Sequence, residues 1–356
     1  MEKKANPVLV EVVRGNVVET RHRGSVAIIS SEGEVLASYG DIDEAVFIRS
    51  AAKPMQEIPL IVSGAADFFN ITEKELAVGC SSHYGEDFQE ETIANWLTRV
   101  GLSEDLLECG PPNYDTNFDV LIRRGITEYR PIHNNCSGKH TNFLTVSKFL
   151  GFPLKNYIEL DHPIQQLVKK TLGEMTEADM DKAEVATEGC GVPAFAFTRR
   201  EVARAYAKFA KPEVLDDKKA AACRKIIKAM MKYPDYYGGN KCFDSTSTAV
   251  LKGVVCKQGN RGTEIAMVPA LGLGVAIKLE DGLTFAKECA MCHIIDFAFG
   301  LMDDDQRAKL KRFMSPDIYN ARQEVVGGTR ANKEWLESLK EIRSKVKFDP
   351  DWYDKL

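Results

Sequence analysis

Two side chains in the segment FIRSAAKPMQ, residues 47–56, have the types and the spacing of a serine nucleophile and its lysine base. Ser50 and Lys53 stand three residues apart, so they share one face if the segment is helical. Pro54 follows at once, and a helix tolerates proline only in its first turn. The segment therefore predicts that Ser50 lies at a helix N-terminus, where the helix dipole stabilises a developing alkoxide. The alternative is the first turn of an ordinary helix without a catalytic function.

A lysine base is chemically demanding. Its pKa must fall from about 10.4 to near 7, at a cost of about 4 kcal/mol, and burial or a second nearby cation can achieve this. The S-x-x-K pattern occurs in serine β-lactamases and penicillin-binding proteins. It is weak evidence alone, because Ser344 and Lys347 match it too, in a charged C-terminal segment. We therefore expect a second lysine and a second hydrogen-bonding group close to Ser50 and Lys53.

Two further segments contain such groups. The first, GCSSHYGED at residues 79–87, places Ser82 beside a histidine, between glycines and ahead of a predicted helix. Backbone amides at such a turn bind anions, although Ser82 would serve equally well as a simple helix cap. The second, VCKQGNRG at residues 255–262, places Lys257 at a turn before a strand. It is similar to the K-T-G element of the same hydrolases, with Gln258 where a hydroxyl residue is usual, but lysine-glycine turns without function are common.

A third group of residues has the chemistry of a metal site. HNNCSGKHTNF at residues 133–143 and TEGCGVPAF at residues 187–195 each hold one cysteine next to or between small residues. Zinc accepts thiolate and imidazole ligands readily, so a metal could join the two cysteines. The set of residues that could form this shell is Cys136 and Cys190 with His133, His140 or Lys139. The alternative is that both cysteines are buried structural thiols.

The elements that must position these residues are predicted from periodicity. Residues 8–40 alternate as strands with tight turns between them, and strand patterns return within residues 263–290. The region of about residues 50–235 carries apolar residues at helical spacing. The economical packing is a single α/β (α+β) domain over residues 1–356, in which one antiparallel sheet is built from both chain ends and the helical region is inserted between them.

Composition narrows the function classes. The 356 residues are 44% hydrophobic and 28% charged, with a net charge of −5, and no basic stripe is present. This balance favours a small-molecule ligand and argues against nucleic acid or an anionic membrane as a partner. The N-terminal segment has no uninterrupted apolar core, so we expect no signal peptide and a cytoplasmic protein. The nine cysteines are then expected to be free thiols or metal ligands.

Taken together, the motifs resemble those of one known family, the rhizobial-type L-asparaginases, also called the asparaginase II or class 3 asparaginases. The resemblance runs from about residue 8 to about residue 328. It rests on five segments in a fixed order: FIRSAAKPMQ, CSSHYGED, HNNCSGKHTNFL, TEGCGVPAFAF and LGLGVAIKLEDG. It implies a serine β-lactamase-like (penicillin-binding-protein-like) fold, hydrolysis of L-asparagine to L-aspartate and ammonia, and a homodimer.

The resemblance also implies the roles of individual residues. Two Ser-Lys tandems form the catalytic site, and they fall on Ser50 with Lys53 and on Ser82 with Lys257, with Lys278 as the alternative for the second lysine. One zinc ion per chain falls on Cys136, Lys139 and Cys190, where it would tune substrate binding. Arg49 and His83 are candidates for binding the substrate α-carboxylate, on charge and adjacency alone.

Other interpretations stay open at this stage. The same fold could serve a glutaminase or a β-lactam-type serine hydrolase, and a non-catalytic zinc or amino-acid binding protein is a third class. Five cysteines belong to no predicted site: Cys223, Cys242, Cys256, Cys289 and Cys292.

Overall fold

The computed structural model describes residues 5–112 and 118–356, which contain eleven strands and fifteen α-helices. The strands are β1 Val8–Arg14, β2 Val17–Ser30, β3 Val35–Tyr39, β4 Val46–Phe47, β5 Val185–Thr187, β6 Pro193–Phe197, β7 Val255–Gly259, β8 Thr263–Val268, β9 Leu273–Leu279, β10 Asp317–Tyr319 and β11 Val325–Ala331. The helices are α1 Lys53–Val62, α2 Ala65–Phe68, α3 Glu73–Gly79, α4 Asp87–Arg99, α5 Phe118–Arg123, α6 Ser137–Leu150, α7 Pro163–Thr176, α8 Arg199–Ala210, α9 Asp217–Lys232, α10 Pro234–Gly238, α11 Phe243–Val250, α12 Thr284–His293, α13 Asp304–Met314, α14 Lys333–Arg343 and α15 Trp352–Lys355.

These elements divide into two compact units. The sheet unit consists of Met1–Val46, Phe197–Lys211 and Thr246–Lys355, so it combines the N-terminal and C-terminal parts of the chain. The helical unit consists of Phe47–Ala196 and Pro212–Ser245, together with the terminal Leu356. Each unit is therefore discontinuous in sequence, and each is described separately below.

The sheet unit is built on one eight-stranded sheet. Its order is β10-β11-β1-β2-β9-β8-β7, and β3 pairs with β2 off this path. Neighbouring strands of this sheet pair in antiparallel fashion, for example with Ala27 opposite Ala276 between β2 and β9. The prediction of one antiparallel sheet from both chain ends, in a mixed α/β fold, is confirmed. The structure adds detail to that prediction: the strands within residues 263–290 end at Leu279 before α12 begins, and β7 and the hairpin β10–β11 also join the sheet.

Helix α8 covers this sheet and fixes a close approach at one glycine. Residues 26–29 of β2 are completely or almost completely buried, which places them in the core of the unit. A Cβ on Gly274 of β9 would come within 2.0 Å of the Ala203 carbonyl oxygen of α8. Only glycine therefore allows the helix to lie this close to the strand. The helix itself begins with a capping box in which Thr198 and Glu201 satisfy each other's backbone amides.

The helical unit contains the elements that carry most of the predicted site residues. Its centre is formed by α1, α3 and α6, and α3 packs so closely on α6 that a Cβ on Gly138 would meet the Val78 carbonyl oxygen at 2.3 Å. The helical region predicted over about residues 50–235 is present, with two exceptions. Helix α8 belongs to the sheet unit, and residues 185–197 contain the antiparallel hairpin β5–β6.

The state of the thiols agrees with the composition analysis, which predicts free cysteines or metal ligands. All nine cysteines are free, and eight of them are buried; Cys242 is half-buried. In the part of the chain that the structure describes, no helix combines the length and the hydropathy that crossing a bilayer requires.

Candidate active site

Ser50 lies at the junction that leads into helix α1. A short 3-10 helix, Arg49–Ala52, precedes α1, and the backbone amide of Lys53 donates to the Ser50 carbonyl oxygen. Pro54 occupies the first turn of α1, as the sequence predicts. Arg49 has a φ of 54°, which is unusual for a residue other than glycine. Such backbone conformations cluster at functional sites, and here the strained residue directly precedes the predicted nucleophile.

Lys53 is the buried centre of this region, with 1% of its side chain surface exposed. Its Nζ donates to the carbonyl oxygen of Ser81, lies 3.1 Å from Ser82 Oγ, and lies 3.4 Å from the Asn135 carbonyl oxygen. Among the described residues, no hydrogen bond joins Lys53 Nζ to Ser50 Oγ. The fold thus brings Lys53 close to Ser82, the serine that follows the C-terminal end of helix α3.

His83 follows Ser82 and is held by the start of α6. Its Nε2 lies 2.7 Å from Ser137 Oγ, which itself donates to the Ile132 carbonyl oxygen. Its Nδ1 accepts from the Gly85 amide at 3.1 Å. The Ser137 hydroxyl therefore accepts from Nε2–H, and the ring is the neutral Nε2–H tautomer. Burial, reinforced by the positive charge of Lys53, lowers the pKa of His83 to about 3.

These contacts bear on the two residues predicted to bind the substrate carboxylate. Both ring nitrogens of His83 are hydrogen-bonded, and the ring is buried and neutral, so its geometry favours a role in positioning Ser82 over carboxylate binding. Arg49 is half-buried, and its Nη2 lies 4.0 Å from the position that a Cβ on Gly189 would occupy. Arg49 remains the cation next to Ser50 that could face a substrate carboxylate.

The two predicted metal-binding segments also meet in the helical unit. Lys139 Nζ lies 2.9 Å from Glu188 Oε2 and 3.2 Å from Cys190 Sγ, and Cys190 Sγ lies 3.6 Å from the same carboxylate oxygen. Cys136 directly precedes helix α6, which carries Lys139. All four side chains are buried. The structure therefore brings Cys136, Lys139 and Cys190 together, and beside them stands Glu188, which the sequence analysis did not single out.

The charges in this cluster explain its protonation. A hydrogen bond from the Cys136 thiol, followed by the charge of Lys139, lowers the pKa of Cys190 to about 7 against the effect of burial. The pKa of Cys136 is raised well above its ordinary value by the same hydrogen bond and by burial. Burial opposes the charge on Lys139, but Cys190 and Glu188 outweigh it and raise the lysine pKa. The cluster therefore holds an ammonium group between a carboxylate and a sulfur atom.

The donor atoms of this cluster fit zinc only with lysine as a ligand. In the described residues, no three His, Cys, Asp or Glu side chains are arranged to hold a metal ion. His140 has its Nδ1 2.7 Å from Tyr157 Oη, and burial lowers its pKa to about 3. Two cysteine sulfurs and the Lys139 amine are a chemically suitable set for zinc, provided that the amine loses its proton when the metal binds.

The serine-lysine region and the cysteine cluster are electrostatic neighbours. The charge of Lys53 contributes to the pKa values of Cys190 and Glu188, and Arg49 also acts on Glu188. Asn135 connects the two regions through the backbone, because its carbonyl oxygen accepts from the His83 amide at 3.2 Å and from Lys53. One part of the helical unit therefore contains both groups that the sequence singled out.

The candidates for the second lysine lie in the sheet unit. Lys257 is fully buried within strand β7, so the prediction that it lies at a turn was wrong; the turn starts after Gly259. Its Nζ donates to the Gln258 carbonyl oxygen at 3.0 Å. Lys278, the alternative, is half-buried on β9 and donates to the Leu279 carbonyl oxygen. Burial lowers the pKa of Lys278.

Sequence reasoning missed three side chains that support the site. Glu188 stands two residues before Cys190, so its acidic character beside a predicted metal ligand was a usable signal. Ser137 follows Cys136 directly but reads as an ordinary helix residue. Glu57 is fully buried on α1, where it accepts from Asn142 Nδ2 at 2.9 Å, and burial raises its pKa well above its ordinary value. Nothing in the sequence indicates that Glu57, one helical turn after Lys53, is buried.

The fold and these contacts define a two-unit α/β protein in which the half-buried Ser50 and the buried Lys53 lie at the start of a helix. The family model for L-asparaginase II matches residues 10–331. Because this match spans most of the chain, the chain belongs to the L-asparaginase II family, and it is an amidohydrolase of that family. The resemblance seen in the five sequence segments is thereby confirmed.

The chain also matches solved structures, at low identity and low TM-score. A β-lactamase from Mycobacterium bovis is 13% identical with a TM-score of 0.38, over 74% of this chain and 89% of that one. The protein Mglu in its native form is 14% identical with a TM-score of 0.39, over 80% of this chain and 63% of that one. A β-lactamase-like protein from Bacteroides dorei is 12% identical with a TM-score of 0.36, over 73% of this chain and 88% of that one. No curated protein sequence matches the chain.

Proposed function

We propose that the protein hydrolyses L-asparagine to L-aspartate and ammonia, with Ser50 as the nucleophile and an acyl-enzyme as the intermediate. The observation that carries this proposal is the buried Lys53 amine, 3.1 Å from Ser82 Oγ, on the helix that Ser50 leads into. Membership of the L-asparaginase II family supplies the substrate class. The reaction is an acyl transfer, in which serine displaces ammonia and water then releases aspartate.

The contacts of Lys53 suggest how the proton moves. Carbonyl oxygens only accept hydrogen bonds, so the contacts to Ser81 and Asn135 use two N–H groups of Lys53. A neutral amine has two such groups, so both contacts are compatible with Lys53 acting as a base. In the proposed sequence Lys53 accepts the proton of Ser50 as the alkoxide attacks the amide carbon. Ser82 then carries a proton to the departing ammonia.

Four supporting roles complete the proposal. Arg49 binds the α-carboxylate of the substrate, while His83 positions Ser82 through Ser137 and Gly85. Lys257 retains the role of second lysine that the family resemblance implies. Cys136, Lys139 and Cys190 would hold one zinc ion, and when bound it would supply a fixed positive centre that tunes substrate binding. A homodimer and a cytoplasmic location stay predictions.

One assay on the purified full chain tests the proposed function. Coupled ammonia release is measured with L-asparagine and L-glutamine, and hydrolysis of a chromogenic β-lactam is measured in parallel. We expect asparagine to give the largest kcat/KM. A preference for glutamine or for the β-lactam would replace the substrate assignment. Calorimetric binding of asparagine without ammonia release would support a binding protein instead.

Variants make this assay specific for the site. Ser50→Ala should remove ammonia release, whereas Ser103→Ala, a change at an exposed serine of the same unit, should leave it unchanged. Equal activity in both variants would contradict the assignment of Ser50.

A further inference from the structure

The hairpin that carries Lys257 ends in a strained turn. Strands β7 and β8 are antiparallel, and Gly259 stands opposite Thr263 at their junction. Between them, Arg261 and Gly262 have φ values of 58° and 79°. Glycine adopts a positive φ readily, whereas Arg261 does so at a cost that neighbouring groups must offset.

A buried lysine from another element forms hydrogen bonds to both sides of this turn. Lys287 of α12 is 1% exposed. Its Nζ lies 3.2 Å from the Gly259 carbonyl oxygen and 3.0 Å from the Thr263 carbonyl oxygen. A third contact, to Glu264 Oε2 at 3.0 Å, joins it to a fully buried carboxylate. The two carbonyl contacts use two of the three N–H donors of the ammonium group, and Glu264 balances its charge as an ion pair.

The same lysine reaches the residue that follows Lys257. Lys287 Nζ lies 3.5 Å from Gln258 Oε1, while the Gln258 backbone carbonyl accepts from Lys257 Nζ at 3.0 Å. Gln258 therefore lies between the two lysines. The family resemblance leads one to expect a small hydroxyl residue at this position. The side chain of glutamine is longer than that of serine or threonine, and its oxygen reaches Lys287. This contact is a structural reason for glutamine at position 258.

A buried ion pair is in general not a net source of folding stability. Removing two charges from water costs several kcal/mol for each ion, and well-packed apolar residues are often as stable or more stable. The ammonium group at position 287 is nevertheless aimed at two turn carbonyls that an apolar side chain would leave without this contact. The pair therefore specifies one conformation of the turn.

We propose that Lys287, held by Glu264, is a positioning residue that fixes the β7–β8 turn and thereby sets the place of the Lys257 amine. This inference rests on the proposed function in one respect only, since it takes Lys257 as the second lysine of the reaction. The contacts that fix the turn are independent of the substrate.

The test separates positioning from stability. Lys287→Met leaves Glu264 buried without its partner, so we expect a lower urea midpoint and a lower kcat. The double variant Lys287→Met/Glu264→Gln removes both charges and should recover most of the lost stability. It should not recover kcat, which we expect to stay about 10- to 100-fold below wild type with KM changed less than about twofold. Recovery of kcat together with stability would overturn the proposal, because the pair would then be purely structural.

Hydrogen exchange gives a readout that does not depend on turnover. In the double variant, backbone amides at residues 259–263 should exchange faster than in wild type. Arg307→Met is the matched control, because it removes the partner of the buried Asp296 elsewhere in the same unit. It should leave exchange at the turn and kcat unchanged. If wild type releases no ammonia from asparagine, the proposed function fails, and exchange alone decides: unchanged protection at 259–263 in the double variant overturns the role of Lys287.

Discussion

Lys53 Nζ lies 3.1 Å from Ser82 Oγ, whereas Ser50, three residues before this lysine, has no hydrogen bond to it among the described residues. Spacing along the chain suggested the opposite pairing. The geometry therefore pairs Lys53 with Ser82, and the proposed roles of the two serines, attack by Ser50 and proton transfer by Ser82, call for separate tests.

Substitution of each serine should distinguish these roles. Ser50→Ala should abolish turnover and the acyl adduct, because the nucleophile is gone. Ser82→Ala should lower kcat by about 10²- to 10⁴-fold, the usual range for lost proton transfer, while still forming the adduct. Mass spectrometry after incubation with a slowly hydrolysed substrate analogue locates the adduct. An adduct on Ser82 would reverse the assignment.

Activity should rise with pH through the neutral-to-alkaline range, because a lysine base must lose its proton before it can accept one from serine. His83 does not produce this limb, since its pKa is lowered to about 3 and the ring is neutral throughout the range. The measurement is kcat/KM between pH 5 and 10 for wild type and His83→Asn. A flat wild-type profile between pH 6 and 10 contradicts a lysine base. If the rise of kcat/KM with pH disappears in the His83 variant, the group that titrates is His83 and not a lysine.

The buried Glu57 should make the protein less stable as pH rises. Its pKa is raised by burial in the folded state, so the folded state binds more protons than the unfolded state above about pH 4.5. The free energy of unfolding should therefore fall by up to about 1.4 kcal/mol per pH unit until the folded-state pKa is reached. Glu57→Gln keeps the shape without the titration. Urea unfolding at several pH values between 4 and 8 should show the variant gaining on wild type as pH rises; a constant difference would contradict the neutral acid.

Substitutions at Gly79 and Glu57 should have non-additive effects on stability, because the two residues are in close contact. A Cβ on Gly79 would come within 2.3 Å of Glu57 Oε1, so Gly79→Ala should destabilise the protein by about 1–3 kcal/mol. Adding Glu57→Ala makes room, and the double variant should lose less than the sum of the two single changes. Gly328→Ala is the control, because its nearest neighbour would be at an ordinary 3.6 Å. If the losses of unfolding free energy measured in urea are additive, the clash between the new Cβ at position 79 and Glu57 must be relieved in another way.

The cysteine cluster should bind about one zinc ion per chain. Two thiols and one amine supply the donors, so Cys136→Ser and Cys190→Ser should abolish binding and Lys139→Ala should weaken it. His140→Ala should retain the metal, because Nδ1 of this histidine faces Tyr157. Elemental analysis of the purified variants measures the content. Zinc retained by both cysteine variants rules out the site, and zinc lost only from the histidine variant moves the third ligand. Removal of zinc should raise KM more than it lowers kcat.

The sequence by itself determined the local chemistry. Pro54 required the start of a helix near Ser50, alternation over residues 8–40 required strands, and the two segments around Cys136 and Cys190 indicated one thiol cluster. These features follow from periodicity and from backbone restrictions, which act over a few residues. The ordered segments also identified the family, because chance does not readily produce five such matches in one order.

Only the tertiary structure decided which of these groups meet. The pairing of Lys53 with Ser82 and the neutral, enclosed state of His83 depend on the packing of α3 against α6. Glu188 and Lys287 acquire roles because residues far away in the chain bury them beside charges of opposite sign. Burial and electrostatic fields are sums over neighbours in space, so no spacing in the sequence contains them. This is why the sequence named the reactive residues and the fold assigned their partners.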